Sequence, residues 1–310
     1  MQAGDLGRLI VLAALWGGSF LFIRVAAPVL GPIVLVELRV LIAGLALLIY
    51  VATTRRAIEL RARWRQYLII GALNSALPFV LISTAELRLI ASFAAILNAT
   101  SPLFGAIIAA VWLKDTLTAR KIGGLILGIA GVATLVGWSP ISLSAGVLLS
   151  IGASLLGAAS YGVASVYTKA HVTGAPPLGM AVGSQLGASL MLLPLVPVAP
   201  PTGTPSAGVV LCVLLLALGS TALAYLLYFR LIIDIGPARA LTVTFITPIF
   251  GVAWGALFLG EQIAIGTVVG CVIILAGTAL VLGLRIRPIA ATDTPRNTPE
   301  SPPPNPGAGC

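Results

Sequence analysis

Three charged residues, Arg24, Glu37 and Arg39, stand inside otherwise apolar runs of the chain. Arg24 comes four residues before Pro28 and Glu37 five residues after Pro32, so a helical hairpin here sets the two at similar depth. Two chemistries suit such a group. A carboxyl that takes up and releases a proton makes Glu37 a coupling site. A carboxylate held ionised by the arginines makes the group a structural ion pair that locks two helices. Nearby cations oppose proton pickup, which favours the structural role. Placing a charge at the centre of a bilayer costs about 2.5–3.5 kcal/mol on insertion scales and less near an interface, and pairing offsets part of that. Val182 and Ser184 stand at the matching places later in the chain, so the feature occurs once.

Neutral polar groups form a second set. Ala94, Asn98, Ser101, Pro102 and Gly105 recur at three-to-four spacing, which puts them on one side of a helix. Ala240, Thr244, Thr247, Pro248 and Gly251 repeat the pattern. Each proline cannot donate to the carbonyl one turn earlier, that of Asn98 or Thr244, which leaves an acceptor for an ammonium or hydroxyl group. Trp16 with Ser19, Asn74 with Pro78, Tyr161, and Thr221 with Tyr225 and Tyr228 add aromatic and hydrogen-bonding candidates on other apolar segments. Aromatic walls with a few polar groups suit small amphipathic molecules. Small and polar residues also cement helix packing in lipid, and Trp and Tyr also anchor helices at membrane interfaces. Site and packing both stand as readings of these residues.

Other chemistry is not encoded. The chain has no G-x-x-x-x-G-K-[ST] loop for nucleotide phosphates. It has no His/Cys/acid cluster at metal-ligand spacing, and its single histidine, His171, reads as a loop residue. No cofactor and no enzymatic activity are expected. Cys212 and Cys271 fall in apolar runs and read as small buried hydrophobes, and Cys310 ends the chain without a C-a-a-X motif.

The elements that must carry these residues follow from composition. Of 310 residues, 59% are hydrophobic and 9% charged, whereas a soluble domain carries about 25% charged residues. Ten segments long enough to span a bilayer emerge, at roughly 8–28, 32–52, 66–87, 92–113, 120–138, 145–168, 177–198, 207–232, 237–258 and 264–284. Links as short as Gly31–Pro32 and Gly236–Pro237 require antiparallel neighbours. One set of alternate ends holds Arg8, the arginines of 55–65, Lys114, Arg120, Lys121, Lys169, Arg230, Arg239, Arg285 and Arg287. The other ends hold little more than Arg88, Glu86 and Glu261. That asymmetry sets both termini in the cytoplasm of a multi-pass inner (plasma) membrane protein. The formal net charge of +9 is then a topology mark facing lipid headgroups, not a nucleic-acid surface. The apolar stretch from Leu9 is too long, and lacks the cleavage site, for a cleavable signal. Asp115 and Glu261 each follow one segment and precede the next, where a carboxylate can cap free N–H groups. The Gly124–Gly128, Gly251–Gly255 and Gly266–Gly270 pairs point to close helix packing. Residues 285–310, with seven prolines from Pro288 to Pro306, read as a disordered cytoplasmic tail.

Shifting the chain by 146 residues lays 91–137 on 237–283 without a gap, matching Pro102 to Pro248, Gly105 to Gly251 and Gly124 to Gly270. A shift of 145 pairs Gly17 with Gly162, Arg24 with Lys169 and Pro32 with Pro177. Five segments per half is an odd number, so residues 1–140 and 141–284 form two inverted five-helix repeats. The stretches "ASFAAILNATSPLFGAIIAAVWLKDTLTARKIGGLILGIAGV" and "ARALTVTFITPIFGVAWGALFLGEQIAIGTVVGCVIILAGTAL" resemble the EamA-type signature of the drug/metabolite transporter superfamily. The openings "LAALWGGSFLFIRVA" and "ELRVLIAGLALL" resemble it too. Asp115 departs from the glutamate usual there, which Glu261 keeps. The resemblance implies an all-α membrane protein of ten helices, with a cavity lined mainly by the first, third, fourth, sixth, eighth and ninth. It also implies a secondary transporter exporting amino acids or similar small metabolites. A channel or facilitator is the alternative, and a membrane-embedded lipid enzyme would need a cluster of acid, base or metal residues that is not encoded.

Overall fold

The computed structural model describes residues 3–138 and 144–283, and the proline-rich tail lies outside them. The described residues are helical throughout, joined by turns. We number the crossing helices α1 (Ala3–Leu30), α2 (Pro32–Thr54), α3 (Trp64–Ala85), α4 (Ala91–Trp112) and α5 (Ala119–Gly137). The second half supplies α6 (Ala145–His171), α7 (Pro177–Val198), α8 (Ala207–Ile235), α9 (Pro237–Ala240 and Val243–Leu259) and α10 (Ile265–Leu282). Among the described residues, nine of these are long and apolar enough to cross a membrane.

The ninth crossing differs from the expected unbroken 237–258 segment. It consists of Pro237–Ala240 and the shorter apolar helix Val243–Leu259, with a turn between them. The backbone tightens to three-residue hydrogen bonds there, Thr242 N to Arg239 O and Thr244 N to Leu241 O at 3.1 Å each, and the threonine hydroxyls donate to the same two carbonyls at 2.7 and 2.8 Å. α4 is interrupted in the same manner at 99–100, where Thr100 Oγ1 donates to Leu97 O at 2.6 Å.

The two tightest links turn on glycine. Gly31 and Gly236 have φ of 73° and 83°, which a side chain would strain, and a proline opens the next helix after each. Elsewhere small residues set how near helices come. α5 and α10 pack so closely that a Cβ on Gly124 would lie 2.6 Å from Gly277 O, and one on Gly277 would lie 2.6 Å from Gly124 O. The outward faces are apolar, with Ile129, Leu257 and Ile265 each more than 70% exposed. Such a surface suits lipid and not water.

Helix neighbours recur when the halves are exchanged. α1 packs on α9 as α6 packs on α4. α3 packs on α7 as α8 packs on α2, and α5 pairs with α10 and α2 with α7. Ion pairs and hydrogen bonds identify the two ends of the bundle. At the basic end Arg8–Asp234 joins α1 to α8 and Lys169–Asp115 joins α6 to the α4–α5 link, while Arg24 reaches the Glu86 carbonyl at the far end. His171, expected in a loop, is the last residue of α6, stacked on Tyr167 with ring centroids 4.8 Å apart.

Candidate functional site

A cavity of about 570 Å³ runs from mid-bundle to the basic end, where Asp115 and Lys121 stand at its mouth. Its inner end stops at Phe20, Ile23, Ile82 and Ala95, all buried in one apolar cluster. Of the residues singled out from sequence, Trp16, Ser19, Asn74, Asn98, Ser101, Tyr161, Thr221, Tyr225, Thr244 and Thr247 line this cavity. Pro78 does not. It is buried in α3 with its carbonyl turned to Gly157 of α6, and a prolyl ring there serves helix packing instead.

Irregular backbone positions two of the polar groups. α3 widens to a π-helical turn at Ala72–Ala76 and α8 does so at Leu215–Leu223. Such turns are uncommon and concentrate at functional sites. The first carries Asn74, whose Nδ2 donates to the Tyr225 hydroxyl at 3.0 Å across the cavity wall. The second carries Thr221, whose hydroxyl donates to Leu216 O at 2.9 Å, five residues back.

The aromatic groups meet as a wall. Trp16 of α1 and Tyr228 of α8 tilt against each other at 5.4 Å, and Tyr161 of α6 meets Phe79 of α3 edge-on at 6.5 Å. The proline-freed Asn98 carbonyl is not left open, because Ser101 Oγ donates to it at 2.6 Å. Asn98 instead presents a side-chain oxygen, Oδ1, with no hydrogen-bond partner among the described residues. Thr244 and Thr247 spend their hydroxyl hydrogens on Leu241 O and Val243 O, so toward the cavity they offer acceptor oxygens.

The expected ion pair of Arg24, Glu37 and Arg39 does not form. Among the described residues none of the three makes a carboxylate salt bridge. Arg24 donates to the backbone carbonyl of Glu86. Glu37 is buried against α7, where Oε1 accepts from Ser189 Oγ at 2.6 Å. Arg39 faces the cavity, with Nε donating to Thr221 Oγ1 at 3.0 Å and the guanidinium 3.6 Å from the Phe79 ring centroid. The reason is helical phase. Residues two apart on a helix point about 200° apart, so Glu37 and Arg39 take opposite faces of α2. That spacing was the available signal for Arg39, and equal depth in the hairpin concealed it. Phe79 and Ser220 also line the cavity without a motif to mark them.

Asp115 and Glu261 do not cap the helices that follow them. Thr118 caps α5, its hydroxyl accepting from Lys121 N, and α10 begins after Ala264 without a side-chain cap. Asp115 pairs with Lys169 Nζ at 3.4 Å. Glu261 reaches into the first half, accepting from Ala91 N at 2.7 Å, Ser92 N at 3.0 Å and Ser92 Oγ. It therefore caps α4.

Comparison with known proteins accords with this architecture. The EamA-like transporter family matches the chain twice, over residues 7–137 and 146–283. The uncharacterized transporter YvbV of Bacillus subtilis is 25% identical over 285 residues, spanning 88% of this chain and 90% of that protein. The uncharacterized inner membrane transporter YedA of Escherichia coli K12 is 27% identical over 281 residues, 86% and 89% of the two chains. A solved crystal structure shares the fold with a TM-score of 0.64 at 18% identity, covering 90% of this chain and 96% of its own. The doubled family match, spread over the helices that wall the cavity, makes this a multi-pass transporter of the plasma membrane, and the chain belongs to the EamA-like transporter family.

Proposed function

We propose that the chain is a secondary transporter that exports amino acids or similar small metabolites by alternating access through the central cavity. The observation that carries this reading is the cavity itself: about 570 Å³, aromatic-walled, reaching the basic end and stopping at apolar packing mid-bundle. Halves 1–140 and 141–284 act as inverted repeats with both termini cytoplasmic. The exchange symmetry of the helix neighbours and the doubled family match support that arrangement. An inverted pair can swap conformations, which turns a cavity open at one end into one open at the other. Trp16, Ser19, Asn74, Asn98, Ser101, Tyr161, Thr221, Tyr225, Thr244 and Thr247 contact the substrate in this reading, and no cofactor takes part.

Counterflow of labelled amino acids in proteoliposomes, with and without a pH gradient, tests the proposal. Saturable, trans-stimulated exchange is the expected result, and its absence across a broad panel overturns it. Unitary currents in a planar bilayer would favour a channel. Tyr225→Ala opens the aromatic wall and frees Asn74, and Asn98→Leu removes an unpartnered oxygen from the site. Each should lower exchange about tenfold or more while the protein still inserts and elutes as a single species, since one lost polar contact is worth roughly 1.5 kcal/mol. Unchanged exchange in both would remove this face from the site.

A further inference from the structure

We propose that Arg39 is the anion anchor of the central cavity, and that the site selects small molecules with a carboxylate attached to an apolar or aromatic body. The proposal rests on the transport reading for its biological meaning and on the cavity alone for its chemistry. Arg39 is 5% exposed, yet its side chain lines the cavity. A charge so placed in a membrane protein is expensive and marks function by default. Here the structure holds the guanidinium in position without neutralising it. Nε is fixed by Thr221 Oγ1, and the guanidinium lies over the Phe79 ring. Neither contact brings an anion. Glu37, its nearest acid in sequence, is turned away to Ser189, and no carboxylate bonds Arg39 among the described residues. Glu86 acts on Arg39 electrostatically, but it is fully buried outside the cavity lining and offers Arg39 no hydrogen bond.

The rest of the lining favours the same sign. The acid that lines the cavity is Asp115, at the mouth and already held by Lys169, with Lys121 beside it. Among the described residues, a cationic ligand therefore finds no free carboxylate in the lining at the depth of Arg39. A carboxylate finds a guanidinium fork whose geometry matches two oxygens. Trp16, Tyr161 and Tyr228 stand around the same space to receive the ligand's body. The free carboxylate of an amino acid satisfies this rule, and a quaternary ammonium compound does not.

The test compares ligands of one shape and different charge on the full chain in nanodiscs: labelled 3-phenylpropionate, 3-phenylpropanamide and 3-phenylpropylamine, by equilibrium binding. The propionate should bind at least tenfold more tightly than the amide and amine. Arg39→Gln should weaken propionate binding at least tenfold and so remove that preference, while Arg39→Lys retains part of it. Thr221→Val, which keeps the charge but releases Nε, should weaken the propionate several-fold. Equal binding of acid and amine to the unaltered protein overturns the proposal without needing any variant to fold. So does a propionate affinity that Arg39→Gln leaves intact, or no saturable binding above empty nanodiscs. Selective binding with no exchange in proteoliposomes keeps the anion site and removes the transport reading. Exchange with no preference for carboxylates does the reverse.

Discussion

Gly277→Ala should destabilise the protein strongly, whereas Gly123→Ala should not destabilise it at all. The added Cβ at 277 would lie 2.6 Å from Gly124 O and 2.8 Å from Gly128 N. Both are backbone atoms in a neighbouring helix, so no side-chain rotation relieves the overlap and α5 must move away from α10. Overpacking of this kind costs about 1–3 kcal/mol, and a rigid backbone neighbour puts it at the upper end. In lipid the loss is not recovered by hydrophobic attraction, because helix association there depends on close packing. Gly124→Ala should behave alike, since its Cβ would lie 2.6 Å from Gly277 O. Gly123 is adjacent in sequence but has nothing within 4 Å of its would-be Cβ. There alanine improves helix propensity by about 1 kcal/mol at no steric cost. Melting curves in detergent, followed by gel filtration, read both effects. Equal melting temperatures for Gly277→Ala and Gly123→Ala would show that the α5–α10 seam does not hold the halves together.

How far the sequence could be read depended on whether the physics was local. The apolar spans and the Gly–Pro turns follow from hydropathy and residue type, and among the described residues nine of the ten expected spans are long and apolar enough to cross a membrane, the other being the shorter Val243–Leu259. The paired glycines of α5 and α10 were legible as packing. Groups whose partners lie far along the chain were not. Glu261 was assigned to the helix after it, but its acceptors' partners are Ala91 and Ser92, about 170 residues away. Arg24 was given to Glu37, but it bonds the Glu86 carbonyl, 62 residues on. The π-helical turns that aim Asn74 and Thr221 leave no trace in hydropathy, because one extra residue per turn preserves composition. Arg39 lies between these cases. Its two-residue separation from Glu37 already set it on the opposite helix face, so its place on the cavity side was accessible to periodicity and hidden only by an argument about depth.

Glu261→Ala should weaken the far end of the molecule and so expose the inner cavity from that side. The carboxylate takes two backbone N–H groups of the first turn of α4 and the Ser92 hydroxyl. Alanine leaves those donors without their partner, at a cost of about 2–3 kcal/mol for charge-assisted bonds. The contact ties the α9–α10 link in one half to α4 in the other. Asp115, its counterpart in the first half, makes no such contact here; it pairs with Lys169 in an exposed bridge worth about 1 kcal/mol or less. The asymmetry matches the cavity, which reaches the end where Asp115 stands and is sealed toward the end where Glu261 stands. Under alternating access, breaking the Glu261 cap removes a constraint on opening the far end, whereas Asp115→Asn leaves that end shut. Ile82→Cys provides a reporter, being 3% exposed at the sealed end of the cavity. With Cys212, Cys271 and Cys310 replaced, a membrane-impermeant maleimide added from the far side should label it several times faster in Glu261→Ala than in the parent, and no faster in Asp115→Asn. Equal labelling in all three would mean that Glu261 only stabilises the helix start and does not gate the cavity. A Glu261→Gln variant separates the two effects further, because one amide oxygen can still accept from Ala91 or Ser92 while the charge that draws both donors together is gone.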